Sequence, residues 1–65
     1  MVANLKDIRE QRGLTQEALA RATNIHRVTI AKYETGEVDP KIENALKLAE
    51  ALGVTVDELI GKKAG

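Results

Sequence analysis

The stretch Leu14–Glu34, LTQEALARATNIHRVTIAKYE, decides how the rest of this chain is read. Thr15 is an N-cap candidate, able to accept hydrogen bonds from backbone N–H groups two or three residues on. Leu14 before it and Leu19 after it have the spacing of a hydrophobic staple. The helical pattern continues through Ala18, Leu19 and Ala22 and stops at Thr23-Asn24. Asn is the non-glycine residue most at ease in left-handed geometry. A second pattern opens at once, with Ile25 and Ile30 on an inward face and Arg27, Val28, Ala31 and Lys32 on another. Two short helices around a tight turn, the second carrying exposed side chains, describe a helix-turn-helix.

The flanks fit around this core. Upstream, Asn4 is a candidate N-cap, Asp7 favours the positive helix end, and Leu5 and Ile8 share a face before Arg12-Gly13 ends the helix. Downstream, Thr35-Gly36-Glu37-Val38-Asp39-Pro40 reads as a loop, and Pro40 opens a fourth helix. The apolar stripe of that helix is Ile42, Ala45, Leu46, Ala49 and Leu52, closed by Gly53. Thr55 and Glu58 have capping-box spacing, and Val54 and Leu59 repeat the staple at a short fifth helix. No segment alternates as a strand does. The expected fold is all-α, five helices over residues 1–61 in one domain, with a flexible tail at 62–65.

Composition narrows the function. At 65 residues the chain is near the lower limit for folding without disulfides or metal, and it has no Cys. That points to a reducing compartment, and the expected location is the cytoplasm, for a bacterial or phage-encoded protein. No apolar run is long enough to span a membrane. Catalysis is not expected: there is no Ser or Cys nucleophile, the lone His26 has no orienting partner in sequence, and no metal-ligand spacing or glycine-rich phosphate loop occurs. Neither a cofactor nor a small-molecule substrate is implied. The formal net charge of zero weighs against nucleic acid, but charge is unevenly placed. Residues 1–36 carry six basic against four acidic side chains, a net of +2, and residues 37–65 the reverse. A neutral chain binds DNA only if its cations are well placed.

The run GLTQEALA…TIAKYETG…DP…ALKLAEALGV…VDELI resembles the Cro and phage-repressor type of helix-turn-helix domain, the XRE family, from Asn4 to Ile60. The resemblance implies a compact lambda-repressor-like fold in which helices 2 and 3 form the motif. It implies that Arg27, Val28 and Lys32 reach base edges in the major groove of double-stranded DNA. It also implies that Gln16 contacts a phosphate and braces the recognition helix, and that Thr29 meets the DNA backbone; His26 and Thr35 are further candidates for backbone contact. Arg9 and Glu34 match a family ion pair tying the first helix to the end of the recognition helix. His26 departs from the usual Ser or Thr cap, and Glu37 and Asp39 stand in a loop that is often basic.

Chemistry supports these roles without deciding all of them. Arg27 can pair with guanine N7 and O6, and Lys32 with guanine or phosphate. Val28 fits either a thymine methyl or the edge of the core. Tyr33 reads first as a core ring. Val56, Leu59 and Ile60 are candidates for a homodimer surface, although some of them must belong to the core. The expected function is a DNA-binding transcriptional regulator, most simply a repressor, acting as a dimer on an inverted repeat. The alternative is a protein-interaction module, such as an antitoxin whose helical body grips a toxin.

Overall fold

Thr15, the pivot of the sequence pattern, is an N-cap in the structure: its Oγ1 accepts the Ala18 N–H at 3.0 Å. The computed structural model describes residues 2–61, so the tail expected at 62–65 lies outside the described residues. The elements are α1 (Leu5–Gln11), α2 (Gln16–Thr23), α3 (Arg27–Thr35), α4 (Ile42–Leu52) and α5 (Val56–Ile60). Among the described residues there is no strand, and no helix is long and apolar enough to cross a membrane.

None of these helices exceeds 11 residues, and helices that short are marginal in water on their own. Local caps and a shared core hold them. Leu5, Leu19, Ile30, Leu48, Leu52 and Leu59 are the largest fully buried side chains, joined by Val2, Ile8, Ile25, Tyr33 and Ala49. Helix α2 packs on α3 and α4, α4 on α5, and α1 on α3 and α5. At α5 the capping box is complete: Thr55 Oγ1 accepts the Glu58 N–H at 3.0 Å, and Glu58 Oε1 accepts the Thr55 N–H at 3.1 Å.

Three expectations are corrected. Asn4 does not cap α1 with its side chain. It serves the far end of the chain instead: its N–H donates to Leu59 O and its Nδ2 to Glu58 O, both at 3.1 Å. Those carbonyls sit in the last turn of α5, where intrahelical partners run out. Helix α4 starts at Ile42, capped by extended Lys41, two residues later than Pro40. The stripe on α4 also differs. Ala45, Leu48, Ala49 and Leu52 face the core, whereas Ile42 and Leu46 are 64% and 54% exposed. The periodicity permits either set, and packing against α2 and α5 selects the one through Leu48.

Truncating Leu48 to Ala should therefore lower the unfolding free energy by about 2–5 kcal/mol. Leu46→Ala should change it by no more than about 0.5 kcal/mol. Urea denaturation of the two variants against the parent chain checks both values.

Candidate nucleic-acid interface

Two residues of α3 are buried, Ile30 and Tyr33, and they anchor its inner face. At about 100° per residue, the opposite face centres on Val28 and includes Ala31, Lys32 and Thr35. Arg27 and Lys32, five residues apart, therefore stand about 140° from one another round the helix. They flank Val28 and do not stack one above the other. Arg27, Val28 and Lys32 are all exposed, and Val28, at 45%, is not a core residue. This resolves the ambiguity left by its sequence: an apolar side chain stands between two cations on an outward face.

The ends of α3 are defined by local chemistry. His26 caps the start, its Nδ1 accepting the Val28 N–H at 3.1 Å. With Nδ1 accepting, the hydrogen of the neutral ring sits on Nε2 and remains a donor on this exposed residue. The histidine thus does the work expected of a Ser or Thr. The turn before it depends on Asn24, the one described non-glycine residue at positive φ, +59°. At the C-terminal end, Thr35 Oγ1 donates to Lys32 O at 3.1 Å and accepts from Glu37 N–H at 3.4 Å. The Thr35 hydroxyl, expected to meet a phosphate, is thereby engaged in closing its own helix. Thr29 is half-buried on the flank.

Behind this face lies a polar network that sets the helix in place. Arg9 Nε donates to Glu34 Oε2 at 2.6 Å and its Nη2 to Oε1 at 3.2 Å, a bidentate pair. Its Nη1 donates to Leu14 O at 2.7 Å. Gln16 Nε2 donates to Glu34 Oε1 at 2.9 Å. Glu34 at the end of α3 thus holds α1 through Arg9 and the start of α2 through Gln16, while Arg9 also holds the α1–α2 turn at Leu14 O. The side chains of Arg9 and Glu34 are only 10% and 4% exposed. The hydrogen bond to Glu34 raises the Arg9 pKa above its ordinary value, against the opposing cost of burial. Gln16, expected both to brace the recognition helix and to meet a phosphate, is placed for the first role through Nε2. Sequence reasoning did not find the link between Gln16 and Glu34, because their spacing of 18 residues carries no local signal.

Of the residues proposed for a dimer surface, Leu59 is fully buried in the core of its own chain and is withdrawn. Val56 and Ile60 are half-buried against that core. Among the described residues, no group of His, Asp or Glu is arranged to hold a metal ion.

With this geometry in view, comparison with known proteins is decisive. A helix-turn-helix family model matches residues 5–59, from the first core residue of α1 to the last of α5. The chain belongs to this family. The CTXphi transcriptional repressor RstR of Vibrio cholerae is 36% identical over 58 residues, which is 89% of this chain and 52% of that protein. An HTH-type transcriptional regulator of Methanocaldococcus jannaschii, MJ0272, is 37% identical over 59 residues, covering 91% and 89% of the two chains. The Bacillus subtilis regulator ImmR is 36% identical over 58 residues, 89% of this chain and 46% of ImmR. The chain thus spans about half the length of RstR and ImmR but most of the archaeal relative. These relatives bear the names of regulators and not of enzymes.

Arg9→Ala should destabilise the fold by up to about 3–5 kcal/mol, because it leaves the Glu34 carboxylate, in a nearly closed site, with the Gln16 amide in place of a cation. Gln16→Ala should cost under about 1.5 kcal/mol, the net value of one hydrogen bond. Denaturant titration measures each. The sign of the Arg9 shift adds a condition. A group whose pKa is raised by folding contributes fully below its unfolded value and loses that contribution only as pH rises through the folded one. The contribution of Arg9 should therefore stay flat from neutral pH to moderately alkaline pH.

Proposed function

We propose that this chain is a sequence-specific DNA-binding transcriptional regulator, most simply a repressor, that lays α3 in the major groove. The observation that carries this reading is the outward face of α3, where Arg27, Val28 and Lys32 are exposed on a helix fixed from behind by Arg9, Glu34 and Gln16. Arginine and lysine donate to guanine, and an exposed valine between them suits a thymine methyl. A rigid mount matters because base-edge hydrogen bonds tolerate little displacement. The names of RstR and ImmR support the regulatory role. His26 Nε2, the second amide N–H of Gln16 and the Thr29 hydroxyl are assigned to the DNA backbone, where contacts set register but carry no sequence information.

A single short helix reads few base pairs, so the chain acts as a homodimer on an inverted repeat. The longest dimension is 33 Å, close to the ~34 Å between major grooves on one face of DNA, so one copy per half-site fits the spacing. Val56 and Ile60 remain the candidates for contact between copies. A second reading, a partner-binding module of the antitoxin kind, is favoured by one observation: Ile42 and Leu46, one turn apart on α4, are both more than half exposed.

Selection from a random duplex pool should enrich an inverted repeat. On the enriched site Arg27→Ala should weaken binding by roughly 1–3 kcal/mol and relax preference at one position. Lys32→Ala should weaken it while far-UV circular dichroism stays that of the parent. A pool that returns no enriched sequence, with these variants indistinguishable from the parent, would turn the assignment toward the partner-binding module.

A further inference from the structure

The chain leaving α3 brings a carboxylate to one of the two cations on its outward face. Gly36 takes φ +82° and donates its N–H to Tyr33 O at 3.2 Å, while Glu37 N–H donates to Lys32 O at 3.0 Å. These are the two bonds of a Schellman motif, a helix end that folds the residue after the glycine back over a side chain of the last turn. That meeting is commonly apolar. Here it is ionic: Lys32 Nζ lies 3.8 Å from Glu37 Oε2. The Glu37 backbone is held further by the Thr35 hydroxyl, so the carboxylate is delivered by a fixed turn and not by a loose loop.

The pair does little for the fold. Its side chains are 51% and 63% exposed, and exposed ion pairs add little stability. The helix end is already closed by backbone bonds. The consequence of the carboxylate falls on Lys32, the residue assigned above to DNA.

We propose that Glu37 is an affinity-limiting residue of the DNA-binding face, which competes with DNA for Lys32 and so weakens sequence-independent binding. The inference rests on the reading of α3 as the DNA-recognition helix. A lysine that neutralises one phosphate releases about 0.9 of a counterion, and non-specific binding is built almost wholly from such contacts. With Glu37 beside it, Lys32 must leave a carboxylate, which then faces the phosphates. Binding to a cognate site bears the same cost at Lys32 but also draws on Arg27 and Val28 at base edges, so it persists where sequence-independent binding fades. In a chain of zero net charge, one masked cation is a large fraction of the non-specific attraction.

The test measures affinity across salt concentrations for a random-sequence duplex and for a selected site. It uses the full chain, Glu37→Gln, Lys32→Ala and the double variant, with circular dichroism checking each fold. Glu37→Gln should bind the random duplex roughly threefold more tightly and gain a similar factor on the selected site. Its log–log salt slope should steepen by up to about 1, and the gain should vanish in the Lys32→Ala background. If Lys32→Ala weakens binding while Glu37→Gln leaves random-duplex affinity unchanged, the inference is wrong and the DNA reading survives. An equal gain with and without Lys32 also overturns it, since the carboxylate would then act alone. If the parent and every variant fail to bind either duplex, the DNA reading falls and takes this inference with it.

Discussion

A nine-residue helix cannot hold its own position in water, and the bidentate contact between Arg9 and Glu34 is what orients this one. Ile30 and Tyr33 sink the inner face of α3 into the core, but apolar contacts alone tolerate small rotations and slides. A carboxylate that accepts from Arg9 at both oxygens and from Gln16 does not. Burial makes the pair expensive to desolvate, so its net stabilisation is modest, yet breaking it from one side is costly. The pair serves geometry first. Each of the three segments it joins is fixed relative to the outward face on which Arg27, Val28 and Lys32 stand.

Much of the fold was legible because its signals are local. Caps such as Thr15 and Thr55–Glu58, and helix ends such as Gly36 and Gly53, act within four residues of where they stand. The errors fell where a distant partner chooses. On α4, Ala45, Ala49 and Leu52 belong equally to a stripe through Leu46 and to one through Leu48, and only the neighbours of the helix distinguish them. Asn4 looks like a cap for the helix that follows it, but bonds to carbonyls 54 and 55 positions away. Leu59 carries the same pattern whether it meets its own core or a second copy. The site divided in the same way. The outward set on α3 followed from the helical pattern and the pairing of Arg9 with Glu34 from resemblance to a family, whereas the bond of Gln16 to Glu34 and the pairing of Glu37 with Lys32 needed coordinates.

Size bears on function as well. A core of aliphatic side chains and one aromatic ring, in a chain of 65 residues, leaves only a modest stability margin. Anything that binds the folded form alone raises that margin by mass action.

Tyr33 is the sole aromatic residue of the chain, and its hydroxyl accepts a hydrogen bond from Asn44 Nδ2 at 2.9 Å. The ring is buried where α3 meets α4, directly behind the outward face. Every near-ultraviolet signal the protein produces therefore originates at that one seam. A disturbance there registers spectroscopically without any introduced label, and the chain carries its own optical probe of whether α3 is seated.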